Sequence, residues 1–309
     1  MGAGVFATFH ARKYASFPDV TLVGVVDPVP AAAQRVSAEL GVEALSDPRD
    51  LLGRVDAVSI ASPADTHAEL GALFLGAGVH VLMEKPLATR LEDADRLVRL
   101  ARERDLILQV GHQERYVLGE FGLGPRAIAP KAIEAVRCGP FTGRGMDVSA
   151  TLDLMIHDLD MVHALAGGEV TGLAVEAKTE KGRHPDEVTA RFTLGGRCAV
   201  TLIASRIAEV RERRMRIIYP DGKIEIDFVA RTLENTTPQI LKPAFGGVPG
   251  AKGIADDPLG YALAAFLQSV RSGDPPLVDG PAARRALATA LAIDTVAASA
   301  RTPLHVVSS

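Results

Sequence analysis

The feature of this sequence that most constrains its fold is the alternation of apolar, strand-like runs with helix-like segments between residues 20 and 110. The apolar runs are short, continuous and rich in β-branched residues, which is typical of strands buried on both faces of a parallel sheet. Helices must then cover both faces, as in a doubly wound α/β domain of the Rossmann type. The predicted strands are residues 20–26, 55–61, 79–83 and 106–110, and the predicted helices are residues 30–40, 66–76 and 91–105.

After about residue 112 the pattern changes, because strand-like runs now follow one another and many alternate apolar with polar residues. Such alternation indicates a sheet with one buried and one polar face, so we predict a C-terminal α+β domain with an open, mostly antiparallel sheet. The predicted domains are residues 1–113, for dinucleotide binding, and residues 114–309, for substrate binding and oligomerisation. The C-terminal prediction comprises strands 132–137, 170–177, 188–194, 199–205, 215–219 and 224–228, helices 151–166, 259–272 and 281–299, and a loop at 235–257.

Charge and composition exclude several classes of function. The net charge is −4 and the basic residues are dispersed, which argues against a nucleic-acid partner. No apolar run reaches the roughly 18 residues of a membrane span, and no secretory signal is visible. The two cysteines, Cys138 and Cys198, are too few for a disulfide framework or a thiolate metal site. We therefore expect a cytoplasmic enzyme.

A dinucleotide site is indicated near the beginning of the chain. Gly2, Gly4 and Ala7 form a G-x-G-x-x-A pattern at a helix start, where backbone N–H groups bind a pyrophosphate. Asp27 follows 23 residues after Gly4, a spacing at which a carboxylate bonds a ribose hydroxyl and repels a 2′-phosphate. Neither Pro28 nor the residue after it supplies a compensating cation, so NAD is predicted rather than NADP. The alternative is a tight turn without a ligand.

The glycine pattern should follow a strand, yet only Met1 precedes Gly2. The first strand of the Rossmann sheet, a central one, is therefore missing from this sequence. We expect the native chain to start upstream of Met1, with roughly six to ten residues of strand.

Three polar clusters follow predicted strands, at residues 62–67, 84–86 and 111–116. Ligands of open α/β sheets bind beyond the carboxyl ends of the strands, so the clusters are candidate site segments by position. Lys85 precedes Pro86, which favours an extended conformation for the lysine at the strand end. The alternative is that the clusters are solvated turns or helix caps and that Lys85 is a surface lysine.

Asp153 and His157 stand at positions i and i+4 of a predicted helix, which places them on one face. Asp160 follows three residues after the histidine, and a neighbouring carboxylate can tune a histidine for proton transfer. The alternative is ordinary pairing on a helix surface. No third and fourth ligand accompany these residues, so no metal site is predicted.

Taken together, these motifs resemble the Gfo/Idh/MocA family of sugar and cyclitol oxidoreductases in order and spacing over essentially the whole chain. A Glu-Lys-Pro segment followed about 70 residues later by Asp-x-x-x-His is specific for that family. The resemblance implies Lys85 and His157 as the catalytic pair, with Asp153 in the substrate pocket. It implies a homodimer or homotetramer formed through the C-terminal sheet. The implied cofactor contacts are Gly2, Gly4, Val5, Phe6, Asp27, Ser62, Pro63, His67, Glu84, Lys85 and His112, and the implied substrate contacts are Lys85, Arg115, Arg144, Asp153 and His157.

A narrower resemblance links residues 140–145 and 152–160 to a subgroup of the family, the UDP-N-acetylglucosamine 3-dehydrogenases. Residues 204–206 and the basic run Arg211, Arg213, Arg214 and Arg216 also fit that subgroup, because arginines suit a diphosphate. Their alternative role is a solvated strand face. The expected reaction is hydride transfer between NAD and a secondary alcohol of a sugar, most specifically C3 of UDP-N-acetylglucosamine. A dehydrogenase of free sugars or inositol and a non-catalytic NAD-binding regulator are the alternatives.

Overall fold

The computed structural model describes residues 1–124, 128–143, 145–242, 253 and 256–299. The chain folds into two compact units, of which the first comprises residues 1–123 and 241–284 and the second comprises residues 124–240 and 285–309. The predicted division at residue 113 did not include the return of residues 241–284 to the N-terminal unit. Helix Pro258–Ser272 returns because its Leu263 and Phe266 share an apolar core with Tyr14 of the first helix and with Phe17, the residue that follows this helix.

The first unit is a parallel α/β fold, as predicted. Strands β1, β3, β4 and β5 fall within the predicted apolar runs, and each strand pairs in parallel with its neighbour. The second helix begins at Pro30, whose fixed φ suits a first turn, and stops at Gly41 in a left-handed conformation. The elements are α1 (Val5–Ser16), β1 (Gly24–Val26), α2 (Pro30–Leu40), β2 (Glu43–Leu45), β3 (Ala57–Ile60), α3 (His67–Gly76), β4 (His80–Met83), α4 (Leu91–Glu103), β5 (Leu108–Val110) and α5 (Glu114–Glu120).

The parallel sheet of this unit is split between β1 and β3. Strands β1 and β2 form one sheet, β3, β4 and β5 form another, and a cavity of about 730 Å³ lined by residues of β1 and β3 lies beside them. Met1 and Gly2 bridge the gap. The Met1 amino group donates to the Ser59 carbonyl at 2.8 Å and its carbonyl accepts from the Ala61 amide at 3.0 Å, whereas the Gly2 amide donates to the Val26 carbonyl of β1 at 2.8 Å. A doubly wound sheet has its first strand at this position. The strand expected before Gly2 would consist of residues outside this sequence, so it stays a prediction.

The second unit is built on a seven-stranded sheet in the order β12-β11-β10-β6-β9-β8-β7. Only β6 and β9 are parallel among its neighbouring pairs, which confirms the predicted mostly antiparallel sheet. Along β6 and most of β9, buried residues alternate with less buried ones, as the sequence pattern predicted. The elements are β6 (Ala132–Cys138), α6 (Ile156–Ala166), β7 (Val170–Lys178), β8 (Glu187–Leu194), β9 (Cys198–Ser205), β10 (Glu212–Tyr219), β11 (Gly222–Asp227) and β12 (Thr232–Asn235), and the last helices are α7 (Pro258–Ser272) and α8 (Gly280–Ser299).

The predicted helix 151–166 begins with a π-helical turn, Thr151–Met155, and is α-helical only from Ile156. The predicted loop 235–257 lies for the most part outside the described residues. No described helix is long and apolar enough to span a membrane.

Candidate functional site

The glycine-rich turn at the start of α1 has the geometry of an anion site. Gly4 caps the helix, and a side chain there would meet open space among the described residues. Gly2 has a φ of 86°, and a methyl group on it would lie 2.9 Å from the Ala61 carbonyl oxygen, so only glycine fits. Val5, at the first position of the helix, is exposed. The N–H groups of this first turn are thus free of covering side chains and suit a pyrophosphate.

Asp27 lies directly beside this turn. Its Oδ2 accepts the Ala3 amide at 2.7 Å and its Oδ1 accepts the Val29 amide at 2.9 Å, which fixes the carboxylate at the end of β1. Arg35, on α2, donates to the Ala3 carbonyl at 2.7 Å. This cation was not predictable from the residues next to Asp27, because a contact made from the neighbouring helix leaves no local signal in the sequence. The turn and the carboxylate together fit the adenosine half of a dinucleotide.

The three polar clusters follow β3, β4 and β5, which are neighbours in one parallel sheet, so they share one sheet edge as predicted. Lys85 is half-buried two residues after β4. His67 joins two of the clusters: its Nδ1 lies 2.7 Å from the Pro86 carbonyl and its Nε2 lies 3.0 Å from the Ser62 carbonyl. Its ring is 1% exposed, and burial lowers the pKa of His67. The imidazole thus links the loops that follow β3 and β4, and the cofactor contact predicted for His67 stays a prediction.

A buried polar cluster lies behind Lys85. The Glu84 carboxylate is 7% exposed, and its Oε1 lies 3.2 Å from His10 Nε2. The other ring nitrogen of His10 lies 2.7 Å from the Ser59 hydroxyl of β3. The backbone of Gly111 is so close to Glu84 that a methyl group there would overlap the carboxylate. Sequence reasoning missed His10, although its spacing of three from Ala7 places it on the buried face of α1.

The third polar cluster, residues 111–116, is buried over much of its length. His112 is 1% exposed, and its carbonyl accepts the Arg115 amide at 3.1 Å in the turn that begins α5. Arg115 is half-buried, and Tyr116 packs edge-on against Tyr261 at 5.8 Å between ring centroids. The cofactor contact predicted for His112 and the substrate contact predicted for Arg115 stay predictions.

In the second unit, Asp153 and His157 lie on either side of the junction between the π-helical turn and α6. Both are half-buried, whereas Asp158 and Asp160 are buried. Asp158 accepts two hydrogen bonds from the buried Arg137, each of 2.9 Å. In this segment Asp158 thus belongs to a buried ion pair with Arg137. The partly exposed His157 and Asp153 are groups that suit proton transfer and hydroxyl binding, respectively. Arg144, predicted to contact the substrate, lies outside the described residues.

Two arginines of the predicted basic run, both on β10, make ion pairs. Arg214 lies 3.3 Å from Asp227, and Arg216 lies 2.5 Å from Glu225 and 3.2 Å from Glu134, all on an exposed strand face. These two arginines match the alternative of a solvated strand face. Arg206 matches neither interpretation, because it is buried with only 6% of its surface exposed.

Two family models match this chain. Residues 1–112 match the GFO_IDH_MocA model, described as an oxidoreductase family with an NAD-binding Rossmann fold. Residues 140–225 match the GFO/IDH/MocA C-terminal domain. The chain is similar to a UDP-N-acetylglucosamine 3-dehydrogenase of Acidithiobacillus ferrooxidans, with 38% identity over 95% of this chain and 94% of the relative. It is also similar to a myo-inositol 2-dehydrogenase of Thermotoga maritima, with 27% identity over 93% of this chain and 92% of the relative.

Solved structures give the same picture. A structure of the UDP-N-acetylglucosamine 3-dehydrogenase of Acidithiobacillus ferrooxidans superposes with a TM-score of 0.85 at 35% identity, covering 96% of each chain. The scyllo-inositol dehydrogenase of Lactobacillus casei, with bound NAD(H) and scyllo-inositol, superposes with a TM-score of 0.78 at 20% identity, covering 97% of this chain and 96% of the other. The second likeness concerns the fold alone.

Proposed function

Because the chain belongs to the Gfo/Idh/MocA oxidoreductase family, we propose that it oxidises a secondary alcohol of a nucleotide sugar, namely C3 of UDP-N-acetylglucosamine. The 38% identity to a dehydrogenase of that substrate, over 95% of this chain, carries the proposal. The family model confirms the predicted NAD-binding Rossmann domain. Hydride transfer to or from the nicotinamide is the chemistry that this cofactor supplies.

The residues present fit that cofactor. The open first turn of α1, with Gly4 at its cap, would hold the pyrophosphate. Asp27, fixed beside the same turn by two backbone N–H groups, would accept a ribose hydroxyl. Ser62 and Glu84 would contribute through the loops at the sheet edge, and His67 would act through the loops that it holds.

The polar side chains of the chain have distinct roles in this proposal. His157 accepts the proton of the reacting hydroxyl, since an imidazole can change its charge near neutral pH. Lys85 donates a hydrogen bond to the alcohol oxygen and stabilises the charge that develops on it. In the alternative assignment the roles are exchanged, so that Lys85 accepts the proton and His157 donates the hydrogen bond. Asp153 binds a further sugar hydroxyl.

The proposal is tested by following NADH formation with a panel of UDP-sugars, free hexoses and inositols. UDP-N-acetylglucosamine should give the highest kcat/KM, and the product should be the 3-keto sugar by NMR. The Lys85→Ala variant, measured in parallel, controls for contaminating dehydrogenases. Activity confined to free inositol or hexose would refute the nucleotide-sugar substrate and leave the hydride transfer intact.

A dehydrogenase of free cyclitols is the second candidate. The observation that favours it is the ion pairing of Arg214 and Arg216, which engages two of the arginines expected to bind a diphosphate. The 27% identity to a myo-inositol 2-dehydrogenase is compatible with it. The same substrate panel separates the two candidates.

We further propose a homo-oligomer, dimer or tetramer, formed through the sheet of the second unit. One face of that sheet is buried, and its other face presents the half-buried Val136 and Ile203 beside exposed charged residues such as Glu134 and Arg191. The mass in solution, measured by light scattering, tests this assembly.

The cytoplasm stays the proposed location. The two cysteines are free, as is usual in that compartment, and burial raises the pKa of each thiol to about 11.

A further inference from the structure

Arg206 is buried in the second unit and is bonded to a loop of the protein. Its Nε donates to Asp186 Oδ1 at 2.8 Å. Its Nη1 donates to the carbonyl of Val148 at 3.1 Å and also to the carbonyl of Gly145. The guanidinium, at the end of β9, therefore holds the backbone of residues 145–148. Since these donors point at protein acceptors and the side chain is buried, it does not act as a surface ligand for a diphosphate.

Asp186 makes this connection rigid. It is fully buried, and its Oδ2 accepts the amides of Glu180 and Lys181, each at 2.7 Å. Its backbone carbonyl accepts the Arg206 amide at 2.9 Å. A buried ion pair holds its geometry when further hydrogen bonds satisfy both partners, as they do for this carboxylate. Asp186 at the start of β8 and Arg206 at the end of β9 are thus joined by both side-chain and backbone hydrogen bonds beside the loop.

The loop lies against the Asp153 carboxylate. Gly145 has a φ of 65°, and a methyl group on it would overlap the Asp153 side chain. The Asp153 amide donates to the Ser149 carbonyl at 2.9 Å, so the π-helical turn is tied to the end of the same loop. The position of residues 145–149 therefore limits where the carboxylate can lie.

We propose that Arg206 is a positioning residue for sugar recognition: paired with Asp186, it fixes the backbone of residues 145–148, and that backbone fixes the Asp153 carboxylate. The inference rests on the proposed role of Asp153 in binding a sugar hydroxyl. In this proposal Arg206 acts through the loop that holds Asp153 in place and does not contact the substrate itself. Loosening the loop should raise KM for the sugar and leave the affinity for NAD unchanged.

Two glycines of the loop provide a matched pair of variants. Gly143 has a φ of 72°, close to that of Gly145, but a side chain there meets open space among the described residues. Gly143→Ala and Gly145→Ala thus share the strain of a positive φ, and only the second displaces Asp153. We expect Gly145→Ala to raise KM for the sugar at least tenfold above Gly143→Ala, with equal Kd for NAD. Equal KM values in the two variants would overturn the proposal.

Arg206→Lys tests the other end of the connection, because a lysine cannot reach the carboxylate and both carbonyls at once. We expect its KM for the sugar to rise at least tenfold and amide exchange in residues 145–153 to accelerate by a similar factor. Arg197→Lys, at an exposed arginine in the turn between β8 and β9, is the control. Unaltered exchange in Arg206→Lys would refute the fixed loop. If the wild-type protein oxidises no sugar, the proposed function is refuted instead. The amide-exchange data would still show whether Arg206 fixes the backbone of residues 145–148.

Discussion

His10 Nε2 lies 3.2 Å from Glu84 Oε1 in the buried interior of the first unit. Glu84 directly precedes Lys85 in the chain. The contact joins α1, whose first turn suits a pyrophosphate, to the loop after β4. The Ser59 hydroxyl on the other side of the ring adds β3 to the connection. The dinucleotide turn and the loop of Lys85 are therefore held by one imidazole.

His10→Phe should destabilise the protein by about 1–3 kcal/mol, because it removes the imidazole that lies against the buried Glu84 carboxylate and the Ser59 hydroxyl. Adding Glu84→Leu should recover much of the loss, since an apolar pair of similar volume tolerates burial. Urea unfolding of both variants measures the effect. Arg12→Ala, which removes an exposed pair with Glu39 on the same helix, is the control and should change little. A His10→Phe variant as stable as the wild type would show that the contact contributes nothing.

Lys85→Ala should lower kcat by about 10²-fold, because charge on the alcohol oxygen develops only in the transition state. His157→Ala should lower kcat similarly, because it removes the group that accepts the hydroxyl proton. NAD affinity, measured by titration calorimetry, should change much less in both. Arg102→Ala, an exposed cation on α4, is the control. Near-normal turnover in either variant would remove that residue from the chemistry.

NAD should be preferred over NADP by at least about tenfold, because the Asp27 carboxylate beside the turn repels a 2′-phosphate. Asp27→Ser should reduce the preference. Asp19→Ser removes an exposed carboxylate of the same unit and should not alter it. Fluorescence titration with both cofactors measures the ratio. A tenfold preference for NADP would contradict this prediction and would point to Arg35 as the compensating cation.

In a chain whose first residue is Met1, stability should fall as pH is lowered from 8 to 6. Burial lowers the pKa of the Met1 amino group from 8.0 to about 6, so the unfolded chain binds more protons in this window and unfolding is favoured as pH falls. The two units of pKa difference correspond to roughly 2–3 kcal/mol. Burial also lowers the pKa of His67 and of His80, which act in the same direction.

An N-terminally acetylated chain isolates the contribution of Met1, because it keeps both histidines and has no amino group to titrate. The difference in Tm between the two forms should grow between pH 8 and pH 6. Parallel Tm curves would show that the amino group titrates as it does in the unfolded chain.

The sequence by itself determined the local elements of this protein and the order of its motifs. Continuous β-branched runs specified parallel strands, and alternating runs specified the half-exposed sheet of the second unit. Because clusters such as Glu84-Lys85-Pro86 follow strands directly, their common sheet edge was also predictable. The periodicity of side chains and the positions of strand ends are local properties, which a sequence records.

Only the tertiary structure decided which distant groups meet. It returned helix Pro258–Ser272 to the first unit, through apolar contacts of Phe266 with residues some 250 positions earlier. It also buried Arg206 against Asp186 and gave Glu84 an imidazole partner from α1. Whether a charged side chain is solvated or buried depends on neighbours brought together by packing, because desolvation must be offset by a partner through space. That is why the spacing of the arginines suggested a diphosphate site, whereas the folded chain places Arg206 beneath a loop.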